Sequence, residues 1–192
     1  RKGALVEHHS ASPWDEVRAL AARPFVVLDT ETTGLSDPEI VSIAVLSHAG
    51  EPLVNRLVRP AKPIEPDASR ITGLDAAAVS GAPEFPDIEP ALSEALSGKL
   101  VAIYNADYDA AVLRNTYARY GLPLPRYEPW CVMRWFARIF GEWREESRDY
   151  AWKPLSVAAA YFGIAQPSPH DAVEDCMTTL RILEAALRRA PS

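Results

Sequence analysis

Apolar and polar positions fall into short runs separated by clusters of Gly and Pro. Phe25 to Leu28 is a continuous apolar, β-branched run and reads as a buried strand. Glu39 to Leu46 alternates and reads as a second strand. His48-Ala49-Gly50 is a turn, and Pro52 to Val58 is a third strand that pairs with the second as a hairpin. Pro60 to Pro66 is an extended connection, Ala68 to Val79 a short helix or turn, and Pro83 to Pro86 a further break. Ile88 to Leu96 predicts a helix ended by Gly98, Leu100 to Tyr104 a fourth strand, and Asp107 to Tyr120 a helix stopped by Gly121. A short strand around Tyr127 to Trp130 precedes a helix from Cys131 to Phe140. Gly141 to Pro154 is polar and irregular, with Trp143, Tyr150 and Trp152 among Arg144, Arg148 and Lys153. Leu155 to Phe162 is a helix ended by Gly163, and the last helix runs from Asp171 to Arg189. Ahead of these, residues 1–23 read as an N-terminal leader whose Trp14 to Ala22 forms a short helix over one edge; residues 24–190 read as one domain. A hairpin followed by alternating strands and helices predicts the α/β class, with a mixed five-stranded sheet flanked by helices.

Composition narrows the picture. The chain has 192 residues, 48% hydrophobic and 24% charged, as expected of an ordinary globular protein with a real core. Its net charge of −6 argues against a broad basic surface for duplex binding, but not against nucleic acid held in a small site through metal ions. Two cysteines, Cys131 and Cys176, imply no disulfide framework and suit a reducing, cytoplasmic setting. No apolar run approaches the ~18 residues of a membrane span. Arg1-Lys2-Gly3-Ala4 carries no signal-peptide core, and the missing Met reads as a processed start or one cut from a longer chain. His8-His9 point different ways on any regular element and read as plain tail.

The chemistry lies in the acids. The first strand runs into Asp29 and Glu31, and residues two apart on an extended backbone share a face. Two carboxylates so placed repel by roughly 4 kcal/mol at ~4 Å and an effective dielectric of ~20. They read either as a solvated strand end or as oxygen ligands for a hard divalent cation. Thr32, Thr33 and Gly34 then turn the chain and can leave backbone N–H groups free. Asp109 opens the helix after the fourth strand, where the helix dipole alone would favour an acid, and Asn105 is a plausible N-cap. At the last helix, Asp171 with Glu174 competes with Ser168 with Asp171 as the capping pair. The first choice is preferred because it leaves His170 outside the helix; five residues apart on a helix, His170 and Asp175 would diverge by about 140°.

In order, Asp29-Thr30-Glu31-Thr32-Thr33-Gly34, then Asn105 to Asp109, then His170 to Asp175 resemble the three motifs of the DEDDh, DnaQ-like 3′–5′ exonucleases. That family includes the proofreading subunit of bacterial DNA polymerase III. Ile71 to Leu74 with Gly81 to Phe85, Cys131 to Arg138, and Leu155 to Ile164 are weaker echoes, and the likeness spans Pro24 to Leu187. Many relatives carry His where Tyr104 and Thr72 stand, neither of them a metal ligand in the family. The loop from Gly141 to Pro154 has no counterpart; it reads as a solvated loop or as a lid over single-stranded substrate.

The resemblance implies an RNase H-like fold and an exonuclease domain over residues 24–190 that uses two divalent ions, Mg²⁺ or Mn²⁺. It implies that Asp29 bridges both, Glu31 and Asp175 bind the first, and Asp109 holds the second. Ions about 3.5–4 Å apart stabilise both oxygens of an in-line displacement. His170 would take the proton from water, as suits an imidazole. The backbone at Thr32 and Thr33 would meet the terminal sugar, Asn105 would line the substrate site, and Leu35 and Tyr108 would press on the last bases. Leu35 also reads as core, and Tyr108 as a packed helix residue. The expected partners are 3′ ends of single-stranded or frayed DNA, with a polymerase or repair complex nearby and no membrane. The rival chemistry is an exoribonuclease on short RNA. The rival from another class is a non-catalytic module binding nucleic acid or a polymerase, which predicts loss of an acid or the histidine; all five are present.

Overall fold

The computed structural model describes residues 11–168 and 170–191, so His8 and His9 lie outside the described residues. Its elements are α1 (Pro13–Ala21), β1 (Phe25–Thr32), β2 (Ile40–Ser47), β3 (Pro52–Leu57), α2 (Pro66–Thr72), α3 (Ala76–Val79), α4 (Phe85–Leu96) and β4 (Leu100–Ile103). They continue as α5 (Ala106–Arg119), β5 (Glu128–Cys131), α6 (Val132–Phe140), β6 (Trp143–Arg144), β7 (Asp149–Tyr150), α7 (Leu155–Phe162) and α8 (Ala172–Arg189). Five strands form one sheet in the order β3-β2-β1-β4-β5. β2 is antiparallel to β1 and β3, whereas β4 is parallel to β1 and β5 parallel to β4. This is the expected mixed sheet of an RNase H-like fold.

The period of two along β1 builds the layers. Phe25 and Val27 join the core formed with α1, α6, α7 and α8. Val26 and Leu28 join the core formed with α4 and α5. A strand buried on both faces reads as a continuous apolar run, which is why Phe25 to Leu28 showed no alternation. The parallel register pairs Leu28 with Ile103 and Ile103 with Cys131. The C-terminal ends of β1, β4 and β5 therefore stand side by side. No described helix is long and apolar enough to cross a membrane.

Several boundaries differ from expectation. β1 continues past Leu28 to Thr32 because β2 pairs with it that far, with a register shift between Glu31 and Thr32. α4 begins at Phe85 rather than Ile88; Pro86 fits a first helical turn, and the Glu84 N–H is met by Asp87 Oδ2 at 3.1 Å. The 141–154 segment is not wholly irregular: β6 and β7 form a small antiparallel ribbon, with Trp143 edge-on to Tyr150 at 5.2 Å between ring centroids. α1 packs on α8 and α6 rather than along a strand edge, burying Val17 and Leu20. Trp135 Nε1 donates to Pro13 O at 2.7 Å, and Arg138 pairs with Glu16 at 2.6 Å.

Candidate active site

The extra length of β1 sets the site. Alternation carries Asp29 and Glu31 onto the face that α8 covers and turns Thr30 and Thr32 toward α5. Thr30 Oγ1 donates to Asp109 Oδ1 at 2.7 Å, and both residues are buried. Thr32 Oγ1 shares a 2.7 Å hydrogen bond with the Tyr108 hydroxyl, which also donates to Gly34 O at 3.3 Å. The turn that follows is closed. Thr33 donates its N–H to Glu39 O at 2.9 Å and accepts from Glu65 N at 2.8 Å. A Cβ on Gly34 would lie 2.2 Å from the Glu65 Cδ, so the bare glycine lets that carboxyl group close over the turn. The expectation of free backbone donors is corrected at Thr33, whose amide is committed because the loop folds back onto the start of β2.

Asn105 occupies the N-cap position of α5, but its side chain makes no cap bond; its carbonyl accepts from Tyr108 N at 3.0 Å and Asp109 N at 3.4 Å. At α8 the cap is Asp171, whose Oδ1 accepts from Val173 N at 3.1 Å and Glu174 N at 3.2 Å. That leaves His170 outside the helix, as preferred from the sequence. His170 has φ 65°, an uncommon conformation for a residue with a Cβ. Its N–H donates to Asp175 Oδ2 at 3.2 Å, and Gln166 Nε2 donates to Asp175 Oδ1 at 2.8 Å.

These placements bring the expected acids into one field. One ligand atom each from Glu31, His170 and Asp175 lie within 4.8 Å of one another. Burial, and then the charges of Asp109, Glu31 and Asp175, hold the Asp29 carboxyl well above the usual carboxylate range. Burial, followed by the charges of Asp175 and Asp109, pushes Glu31 up to about 8. Burial raises Asp109 to about 7 against the pull of the Thr30 hydrogen bond. Asp175 is raised by burial, with the Gln166 and His170 bonds opposing. The charges named as acting on Asp29 and Glu31 all belong to other carboxylates. A desolvated set of mutually repelling oxygen donors fits a hard divalent cation such as Mg²⁺ or Mn²⁺. Among the described residues, Glu31, Asp175 and His170 are the ones whose ligand atoms stand close enough to share an ion; Asp29 and Asp109 are not in that group and are linked to it through charge.

Around the acids, Leu35 is 86% exposed, which rules out the core reading. Tyr108 is half-buried against the α4–α5 core while its hydroxyl reaches the turn. Two residues escaped the sequence reading. Thr30 could have been found from alternation, which faces it away from its acidic neighbours. Gln166 carries no sequence signal; only the return of the 163–171 connection brings it to Asp175.

The model of the exonuclease family RNase T matches residues 26–183, which contain all the acids and the histidine of this site. The chain belongs to the DEDDh, DnaQ-like exonuclease family. The exonuclease domain is 36% identical over 168 residues to the uncharacterized exonuclease CP81 of Escherichia phage 186, covering 83% of this chain and 86% of the relative. It is 30% identical over 188 residues to a DNA polymerase III subunit epsilon-like protein of Rhodobacter capsulatus; that match covers 91% of this chain and 25% of the relative. Among solved structures, exonuclease X in complex with 5′-overhanging duplex DNA superposes with a TM-score of 0.65 at 25% identity. The superposition covers 86% of this chain and 92% of that one.

Proposed function

We propose that this domain is a DEDDh two-metal 3′–5′ exonuclease, a phosphodiester hydrolase that releases nucleoside 5′-monophosphates from single-stranded or frayed DNA 3′ ends. The observation that carries the reading is the gathering of acids from β1, α5 and α8 in one desolvated field beside an imidazole. Asp29, Glu31, Asp109 and Asp175 would hold the two ions. When bound, such ions stabilise the charge on the attacking and leaving oxygens of an in-line displacement. His170 accepts the proton of the attacking water. The bond between phosphorus and the 3′ oxygen of the preceding nucleotide breaks, that oxygen takes a proton from solvent, and His170 returns its proton to solvent. The Thr32–Gly34 turn is the floor on which the terminal sugar rests, with Leu35 and Tyr108 against the last bases. The DNA in the exonuclease X complex supports DNA as substrate. The epsilon-like name of the Rhodobacter relative supports a place beside a polymerase; a repair complex and a cytoplasmic setting are part of the same proposal. End-labelled DNA and RNA oligonucleotides of matched sequence, with and without Mg²⁺ or Mn²⁺, test the proposal. Metal-dependent loss of single nucleotides from the DNA 3′ end is expected. Faster loss from RNA would make the domain an exoribonuclease, and binding without release of mononucleotide would make it a non-catalytic module.

A further inference from the structure

What stands on the aligned strand ends changes from one flank of the sheet to the other. On the β2 flank lie Thr33, Gly34 and Leu35. At β1 and α5 lie the acids. On the β5 flank, Arg134 stands in the first turn of α6, immediately after β5. Arg134 pairs with Asp107, two residues before Asp109 in the first turn of α5. Its guanidinium carbon also lies 5.7 Å from the centroid of the Trp152 ring.

The backbone around Trp152 is fixed to this end of the sheet. Tyr104, one residue beyond β4, donates its hydroxyl to Lys153 O at 2.8 Å, and its carbonyl accepts Met133 N at 2.8 Å. Ala151 is buried, with its N–H on Glu142 O at 2.7 Å. The indole between these anchors is nonetheless 49% exposed. A large aromatic face carried on an anchored backbone, edged by a guanidinium and left open to solvent is a poor use of a tryptophan in folding. It is a good surface for a nucleic-acid base, which stacks on aromatic and guanidinium planes alike. The tip of the β6–β7 ribbon is unsuited to this, because Glu145 and Glu146 are exposed there and repel phosphate.

The geometry points to Trp152 and Arg134 as a stacking platform for the strand on the 5′ side of the reacting phosphate, gripping its bases without regard to sequence. This rests on the proposed 3′ exonuclease reading, which puts the terminal nucleotide on the Leu35 flank. From β1 to β5 is two strand spacings, ~10 Å, roughly three stacked nucleotide steps of ~3.4 Å. The platform thus serves substrates of about four nucleotides or more and is out of reach of a mononucleotide ester.

Three measurements on the full chain with Mn²⁺ test it: hydrolysis of a single-stranded DNA 12-mer, hydrolysis of the p-nitrophenyl ester of thymidine 5′-monophosphate, and anisotropy with a 12-mer whose 3′ linkages are phosphorothioates. Trp152→Ala is expected to raise KM and weaken binding for the 12-mers by roughly tenfold. It should hold kcat within about twofold and leave the ester unaffected. Trp152→Phe, which keeps a stacking plane, restores most of the loss, and Arg134→Ala repeats part of it; Arg134→Ala serves if Trp152→Ala does not fold. Glu145→Gln with Glu146→Gln at the ribbon tip leaves KM within about twofold. Equal losses on ester and 12-mer, no loss on the 12-mer, or a tip effect as large as that of Trp152→Ala would overturn the platform. Wild-type protein that binds the phosphorothioate strand through Trp152 yet cleaves neither substrate would overturn the exonuclease proposal and leave the platform standing.

Discussion

Asp109 and Asp175 occupy the same place in two helices, the fourth residue of α5 and the fourth residue of α8, and both helices open onto the site. Each donates its amide to the N-cap carbonyl, Asn105 O at 3.4 Å and Asp171 O at 2.8 Å. Their carboxylates are held in different ways. Asp109 is 4% exposed and bonded to a threonine hydroxyl of the central strand. Asp175 is bonded on both oxygens by the 163–171 connection, through the Gln166 amide and the His170 N–H. One half of the site is therefore fixed by the core of the sheet, and the other by a single connection that also carries the imidazole. The same helix-start geometry can be tied to the sheet or to a connection, depending on what bonds the side chain.

The largest expected effect comes from breaking the half fixed by the sheet. Asp29→Ala or Asp109→Ala should lower kcat on a DNA oligonucleotide by about a thousandfold or more, ~4 kcal/mol of barrier. Turnover near wild type in either variant would remove that residue from the site. In the other half, His170→Ala should lower kcat by roughly 10²–10³-fold while Mn²⁺ affinity by calorimetry stays within about threefold. A collapse of Mn²⁺ affinity would instead make the imidazole a ligand, as its closeness to Glu31 and Asp175 permits.

Two milder substitutions sharpen the contrast. Gln166→Ala should weaken Mn²⁺ binding by about tenfold with little change in melting temperature, because it frees Asp175 without opening the core. Thr30→Val should do the reverse. It removes a buried hydrogen bond worth about 1 kcal/mol, and hence roughly 3 °C of Tm, while burial still holds Asp109 in place. Matching effects from both would erase the distinction.

A pH dependence probes both halves at once. Burial and the charges of neighbouring carboxylates raise Asp29 and put Glu31 at about 8, and burial puts Asp109 at about 7, above the ~4 of an unfolded carboxylate. Between about pH 4 and pH 8 the folded state thus holds more protons than the unfolded one, and its stability falls as pH rises. Metal-free protein should lose Tm from pH 5 to pH 8, and Mn²⁺ should restore more at pH 8 than at pH 5. A Tm gain independent of pH would mean that the ions do not replace these protons.

The sheet was legible because its strands are short apolar runs cut by Gly and Pro, and the turn from period two to helix marked each crossover. Boundaries were lost where pairing or capping extended an element beyond its apolar run, as at Asp29 to Thr32 and at Phe85 to Asp87. The acids and His170 stood out because they fall in order in three motifs of the family; taken alone, each also read as a strand end or a helix cap. Gln166 was missed, and Trp152 was read only as one aromatic of a loop that is either solvated or a lid: a glutamine amide and an exposed indole have no fixed spacing to the acids, and only the fold places them.

The central claim is that Asp29, Glu31, Asp109 and Asp175 close around divalent ions. Anomalous diffraction from a crystal grown with Mn²⁺ addresses it directly. Manganese peaks ligated by all four carboxylates are expected, with Asp29 shared between ions. Peaks elsewhere, or a single ion on Glu31, His170 and Asp175 with Asp29 and Asp109 unengaged, would contradict it.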